Sequence, residues 1–571
     1  MADHTSATHG PGHHGMSPIR RLMALLRPER RDVTIVILFA IGVGVLTIAT
    51  PVTVQVLVNF VAFGGLAQPL IVLGILLLAF LSLAGAVRVF KTWVVEMLQR
   101  RIFVRVATDL SHRLPRVRTE AYDRGHGPEL VNRFFDVLTV QKAGATLLLD
   151  GVAVFLQTLV GLTVLAFYHP ILLAFDVVLV FCIIFVLFVL GRGGVRTAIA
   201  ESVAKYAVAG SLEEIARNPT SFKLAGGPEF AHHRTDELAV AYVSARKRHF
   251  MVVLRQVIGA VALQAVAGTA LLTIGGWLVI EGQLTLGQLV ASELIVSTVL
   301  AAFAKIGKQL ENFYDLLAGV DKLGHLIDLP LERDTGGDHP QVASGAAIRL
   351  HEVDFAHNGG PGLLNGLNLE IKSGERICIV GRHGSGKSTL ADLLYGLRQP
   401  TQGRIEIDGV DVRELKLETL RRHVSLVKGL EMIEGTIEDN IRMNRADVSS
   451  ADARAALADV GLLDEFRELP DGLATHLSST GAPLSFGQAR RLMLARAIVG
   501  QPRILVLDDL LDDLDTDARA EVLRALLRDD RAWTLVVFSR HAGTFAQIDR
   551  SIELIGSRGN GDLATEPDGS S

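Results

Sequence analysis

Six apolar runs fill the first 310 or so residues of this chain, and their length constrains the fold more than any other feature. A bilayer core of about 30 Å takes about 20 apolar residues in a helix. Residues 33–63, 70–87, 147–168, 171–190, 252–280 and 286–303 supply six spans of about that length. Hydrophobic residues make up 49% of the chain and mean hydropathy is +0.35, high for a soluble protein. Basic residues orient the spans. Arg20, Arg21, Arg27, Arg30 and Arg31 precede the first, and two long loops rich in Arg and Lys follow the second and the fourth. The short loops on the opposite side hold no Lys or Arg, so both termini and the long loops are expected in the cytoplasm. No secretory leader is expected, because the first run begins after residue 31 and lacks a small-residue cleavage site.

The net charge of −4 gives no reason to expect a nucleic-acid partner. The two cysteines, Cys182 in an apolar run and Cys378 in a strand expected to be buried, read as structural, reduced thiols rather than as a disulfide or a zinc site. His4, His9, His13 and His14 lie in residues 1–18, read as a disordered tail without the rigid spacing of a metal site. Two acidic groups interrupt apolar sequence, Asp176 in the fourth span and Glu293 in the sixth. Charges there are expensive, and the expectation is that both line a translocation cavity and favour cationic cargo. In the long loops, residues 129–134 and 211–215 read as short surfaces able to dock on another domain.

Residues 329–347, rich in Gly, Asp and small residues, read as a linker. From residue 348 the pattern is that of an α/β domain. Gly381-Arg382-His383-Gly384-Ser385-Gly386-Lys387-Ser388-Thr389 follows a strand-like run and precedes a helical one, which is the context of a P-loop. Gly381, Gly384 and Gly386 free backbone amides to turn toward phosphates, and Ser385 and Thr389 sit in the same cradle. Lys387 neutralises the β- and γ-phosphates, and Ser388 ligates Mg2+. A second apolar strand delivers Asp508, a carboxylate aimed at the same metal.

Between them, Leu484-Ser485-Phe486-Gly487-Gln488 resembles the signature motif of ATP-binding cassette (ABC) transporters, usually Leu-Ser-Gly-Gly-Gln. With six spans, linker and P-loop domain in that order, the resemblance covers nearly the whole chain. It implies an all-α six-helix transmembrane domain over residues 19–328 and an α/β P-loop nucleotide-binding domain over 348–556, with a disordered tail over 557–571. It also implies a half-transporter that pairs as a homodimer, or as a heterodimer with a second half, holding two ATP molecules with Mg2+. Each ATP lies between one P-loop and the partner's Ser485, Gly487 and Gln488, with Asp515 in the loop that follows Asp508. Residues 276–290 look most like the bacterial type I secretion group, which implies an inner-membrane exporter of peptide, protein or amphipathic cargo and a periplasmic adaptor as a candidate partner.

Several positions depart from the family pattern. Asp509 stands where a catalytic glutamate is usual, and its shorter side chain moves the base away from the attacking water; a displacement near 1 Å can cost on the order of a hundredfold. Lys428 occupies the place of a glutamine that contacts Mg2+. Arg540 takes the switch-histidine position, with His541 one place late. Phe486 replaces a signature glycine, and His357 stands for the adenine-stacking tyrosine. Together these imply tight ATP binding with slow hydrolysis, or else a largely non-catalytic subunit whose companion supplies a competent site. The run Asp508, Asp509, Asp512, Asp513, Asp515 and Asp517 reads as metal and loop positions plus solvated surface.

Overall fold

The computed structural model describes residues 17–62, 68–123, 131–304, 306–338, 344–357, 360–528, 530–541, 548–555 and 563–565. The four tail histidines and Glu129 lie outside them. The chain divides into two compact units, Met1–Arg116 with Arg124–Leu329, and Val117–Asp123 with Pro330–Ser571.

Among the described residues of the helical unit, five helices are long and apolar enough to cross a membrane: Pro18–Ala62, Pro69–Arg116, Arg133–Tyr168, Pro170–Arg217 and Gly227–Ile280. A sixth apolar helix, Leu286–Ala304, is shorter. The last of the five counts 54 residues, about 80 Å at 1.5 Å per residue, so more than half of it extends beyond a hydrocarbon core. Within the first, the helix is interrupted at Ile48, between Arg30–Thr47 and Ala49–Ala62. Pro51 falls in the first turn of the second piece, where its missing N–H breaks no helical bond.

Leu172 and Leu179 pack with Leu162, Leu165, Leu271 and Leu278 in the core of this unit. Asp176 lies four residues after the first and three before the second, on the same helix face. It is 4% exposed, and neither carboxylate oxygen has a hydrogen-bond partner among the described residues. Asp176 therefore sits among packed leucines rather than on an open cavity wall. Glu293 Oε2 is likewise buried without a partner among the described residues. The two loop surfaces read from sequence meet each other, the Asn132 amide donating to Glu213.

The described residues of the second unit form three sheets. Strands β1 (Ile348–Ala356), β2 (Gly362–Ile371), β4 (Gln402–Ile407) and β5 (Val410–Asp411) form an antiparallel sheet in the order β2-β1-β4-β5. Strands β3 (Arg376–Val380), β6 (Val424–Lys428), β9 (Ile504–Asp508), β10 (Thr534–Ser539), β11 (Arg550–Leu554) and β12 (Leu563–Thr565) form a six-stranded sheet in the order β12-β11-β3-β10-β9-β6. Strands β7 (Gly435–Thr436) and β8 (His476–Leu477) pair separately. All pairings in the larger sheet are parallel except that of β12 with β11. Residues 563–565 were expected in a disordered tail. Their backbone instead extends the open edge of β11, a row of unpaired groups that accepts another strand.

The parallel strands read as unbroken apolar runs because both faces are covered. On β9, Leu505 and Leu507 join a core under the helices, while Ile504 and Val506 join a core against the other sheet. On β10, Leu535 and Val537 face the first core, Val536 and Phe538 the second. The stretch read as a linker is bound to this unit. Arg333 donates to the carbonyls of Val412, Arg413 and Leu415, and Arg421 grips Glu332 through two bonds of 2.6 and 2.8 Å.

Candidate nucleotide site

Residues 381–386 leave β3 and turn the chain into helix Lys387–Leu394. Gly386 caps that helix at φ +100°, where a Cβ would lie 2.8 Å from Leu364 Cδ2, so glycine is required on both counts. Buried Lys387 donates from Nζ to the carbonyls of Gly381 at 2.7 Å and Arg382 at 3.3 Å, which folds the ammonium into the loop. Ser385 is buried beside Gly381, and Gly384 takes a positive φ of 81°. The helix amides and this ammonium together present positive charge to an anion.

Alternation along β9 puts Asp508 on the face of Ile504 and Val506, which helix Lys387–Leu394 covers with Leu390, Leu393 and Leu394. Asp508 is 4% exposed. Burial raises its carboxyl above the usual carboxylate range, against the hydrogen bond from Ser388, while Asp509 raises it further. Its Oδ1 is buried with no hydrogen-bond partner among the described residues. A hydroxyl and a carboxylate with a free oxygen fit Mg2+, a hard cation that takes one or two protein ligands and completes its shell with phosphates and water. No group of three or more His, Cys, Asp or Glu residues able to hold a metal by itself occurs among the described residues.

Lys428 ends β6 directly across from Asp508 in the parallel register. Sequence reasoning put it in the place of a glutamine that contacts Mg2+; the structure turns its ammonium instead to Asp392, at 2.7 Å. Asp392 is buried one helical turn after Ser388 and also meets Arg398 Nε at 3.3 Å. Arg398 in turn holds Asp123 through two bonds of 2.8 Å, and this keeps the Asp123 carboxyl below the usual range. Asp123 ends the segment Val117–Asp123, where Val117 bridges to Leu331 and Arg118 N–H donates to the Pro330 carbonyl at 2.9 Å. Sequence reasoning missed Asp392, Arg398 and Asp123. Asp392 lies in a helix that reads as apolar packing, Arg398 and Asp123 lie in turns, and the pairing that joins the last two spans 275 positions and leaves no local signal.

Asp509 sits at φ +54°, its amide donating to the Phe538 carbonyl at 3.2 Å and its Oδ1 buried. Arg540 is drawn to carboxylates: its amide donates to Asp512 at 2.9 Å and its guanidinium lies 3.5 Å from Asp513. His541 is exposed, its amide donating to Ser539 Oγ at 3.1 Å. Asp512 and Asp513, read as solvated surface, are engaged instead. Asp512 accepts from Ser539 Oγ at 2.7 Å, and Asp513 pairs with Arg490 at 2.5 Å.

Helix Phe486–Ile498 opens with a capping box. Ser485 Oγ accepts from the Gln488 amide at 3.2 Å, and Gln488 Oε1 accepts from the Ser485 amide at 2.9 Å. Gly487 has open space where a Cβ would stand, whereas Phe486 is 52% exposed with the Arg490 guanidinium 4.9 Å from its ring centre. Asp515 caps the helix Thr516–Leu526, accepting from the Ala518 amide at 2.9 Å. His357 packs edge-on against Phe355, with Nε2 3.5 Å from Thr389 Oγ1 beside the P-loop helix. Lys387, Ser388, Asp508, Lys428 and His357 thus gather at one end of β3, β6 and β9.

Two family profiles match the chain, that of the ABC transporter over residues 364–511 and that of the ABC transporter transmembrane region over residues 33–303. The chain is 31% identical over 321 residues to the alpha-hemolysin translocation ATP-binding protein HlyB of Escherichia coli O157:H7, covering 56% of this chain and 45% of that protein. It is 30% identical over 406 residues to the ATP-dependent lipid A-core flippase of Neisseria meningitidis, covering 69% of this chain and 64% of that protein. Similarity to an uncharacterized ABC transporter ATP-binding protein, YwjA of Bacillus subtilis, is 31% over 280 residues, 49% of each. The chain thus spans about half the length of the first of these curated relatives. Among solved structures, a bacterial Atm1-family ABC exporter with ATP bound superposes with a TM-score of 0.82 at 20% identity, covering 94% of this chain and 95% of that one.

Proposed function

This chain belongs to the ABC transporter family, and from that premise we propose that it is one half of an ATP-driven exporter. Two such halves bind two ATP molecules between their cassettes and move a peptide, protein or other amphipathic cargo out of the cytoplasm. The observation that carries this reading is the gathering of Lys387, Ser388 and buried Asp508 at one end of the parallel sheet, in a chain that also carries the spans. The loop amides and Lys387 bind the phosphate chain, and His357 offers a small face toward the base. Mg2+, when bound, is held by Ser388 and Asp508 and offsets the phosphate charge.

Hydrolysis is expected to be slow. Asp509 is the only carboxylate directly after Asp508, and it is one methylene shorter than the usual base. Arg540 is occupied by Asp512 and Asp513, and Lys428 by Asp392. A second reading follows from the same contacts: the chain is an ATP-binding subunit whose companion half supplies the hydrolytic site, while Ser485 and Gly487 here serve the companion's nucleotide. Location in a bacterial inner membrane, with the cassette cytoplasmic and a periplasmic adaptor on the far side, belongs to the same proposal and rests on the likeness to an alpha-hemolysin translocation protein.

ATPase measurements on the purified chain separate the two. Turnover that collapses with Asp509→Asn supports the self-sufficient exporter. Nucleotide binding with turnover that appears only on mixing with a second half-transporter supports the companion reading. A chain that binds no nucleotide at all would refute both.

A further inference from the structure

His357 follows directly after β1, and its place is fixed from two sides. Its ring meets that of buried Phe355 edge-on, with centroids 4.9 Å apart and planes at 87°, and its carbonyl accepts from the Gly360 amide at 2.8 Å. The Nε2 edge of the ring then lies 3.5 Å from Thr389 Oγ1. That separation is long for a hydrogen bond to a hydroxyl, so both groups can turn to a third atom between them. The surroundings indicate which atom that is. Thr389 is the third residue of helix Lys387–Leu394, and the ladder of that helix begins with the Leu390 amide donating to the Gly386 carbonyl at 2.8 Å. The amides of Lys387, Ser388 and Thr389 therefore belong to the unpaired helix start, which attracts an anion. Ser388 bonds to Asp508, which sets the metal and the outer phosphates on that side. Thr389 stands about 100° further around the helix, on the side of His357. A phosphate chain laid across the helix start thus reaches Thr389 and His357 at the end that joins the sugar.

We infer that His357 holds the nucleotide chiefly by donating its Nε2–H to the phosphate next to the sugar, so that the site takes nucleoside triphosphates by their phosphates with little regard for the base. The inference rests on the proposed binding of ATP at the P-loop. The tautomer with hydrogen on Nε2 supplies the donor, and Thr389 Oγ1 supplies a second one to the same phosphate. A hydrogen bond to an ionised oxygen is roughly twice as strong as one between neutral groups. Stacking, by contrast, grows with ring area, and an exposed imidazole brings only a small face to it.

Two replacements separate the contacts, because each keeps one and removes the other. His357→Gln keeps an N–H donor and has no ring, whereas His357→Phe keeps a ring of larger face and has no donor. Binding is measured on the full-length chain in lipid nanodiscs with Mg2+ present. ATP affinity should stay within about twofold of the parent in the glutamine variant and fall about fivefold in the phenylalanine variant. Tripolyphosphate, which has no base to stack, should compete with ATP and follow the same order. ATP and UTP should bind the parent about equally and separate in favour of ATP in the phenylalanine variant, where the larger purine gains from the ring. The opposite order, with ATP held as tightly by the phenylalanine variant as by the parent and weakly by the glutamine variant, would put His357 on the base and overturn the inference. So would a tripolyphosphate affinity that is the same in all three chains. His357 is exposed, so both variants should unfold at the temperature of the parent. A parent that binds neither ATP nor tripolyphosphate refutes the ATP-binding reading itself, whereas one that binds both, with affinities that neither replacement moves, refutes only the role of His357.

Discussion

Replacing Asp176 by leucine should make the helical unit more stable, against the usual direction of a core substitution. Asp176 occupies a face whose neighbours on both sides, Leu172 and Leu179, are almost completely buried, and its two oxygens have no partner among the described residues. A buried polar group without a hydrogen bond costs about 1–3 kcal/mol by mutational measures. A leucine there adds about 1.5–3 kcal/mol of apolar burial if it packs as its neighbours do, less about 1–3 kcal/mol for fitting the larger side chain into a filled core. Taken at the middle of these ranges the balance is a gain of about 2 kcal/mol. Cys182 lies on the same helix, Pro170–Ile184, so a thiol-reactive dye reports its unfolding directly once Cys378 has been replaced by serine. Asp176→Leu should shift the temperature of Cys182 labelling upward, while Asp176→Asn, which still needs hydrogen bonds, should not. A downward shift for the leucine variant would mean that the carboxyl has a compensating partner and would refute the reasoning. A more stable protein that no longer transports would show that the group is kept for function rather than for folding.

Three further outcomes follow from the cassette and the helix that leads into it. Because burial raises the Asp508 carboxyl, and metal binding needs it ionised, Mg-ATP affinity should fall on acidification at a pH above the ordinary carboxylate range; a fluorescent-nucleotide titration should give a flat, weak profile for Asp508→Asn. Lys322 is buried over the Tyr206 ring, and burial pushes its ammonium down to about 7. The unfolded chain then binds more protons than the folded one between about pH 7 and the ordinary lysine value, so stability should rise with pH across that window. Thermal unfolding of Lys322→Met should lack this slope. Phe466 is fully buried in the core under the helices, and Phe466→Ala should cost about 3–5 kcal/mol, read as a lower unfolding midpoint of the cassette.

The parts legible in the sequence are those whose physics is local. Spans announce themselves by length and hydropathy, and the P-loop by glycines between a strand and a helix. Asp508 was legible because four apolar residues before it define a strand and its end. Illegible parts depend on partners far along the chain. Nothing in Val117, Arg118 or Asp123 marks them as members of the cassette's unit, because the groups that claim them are Leu331 and Arg398. Lys428 could be placed beside the site by register but not assigned a partner, since Asp392 sits inside a helix that reads as ordinary apolar packing. Asp512 and Asp513 looked solvated for the same reason: Ser539, Arg490 and Arg540, which bind them, arrive from two other elements.

The seven residues Val117–Asp123 also set an order of events in biosynthesis. They leave the ribosome before the body they belong to exists, since Arg398 follows Asp123 by 275 residues. At about 5–20 residues per second, the segment waits roughly 15–55 s for its guanidinium partner. Through that interval Asp123 is an unpaired surface charge beside a helix already claimed by the membrane. The cassette is therefore completed by a piece made in advance, and a cassette translated alone from Pro330 would present Arg398 with only Asp392 to answer it. Such a fragment should fold less stably than the same residues in the whole chain, and adding back the seven-residue peptide should recover part of the difference.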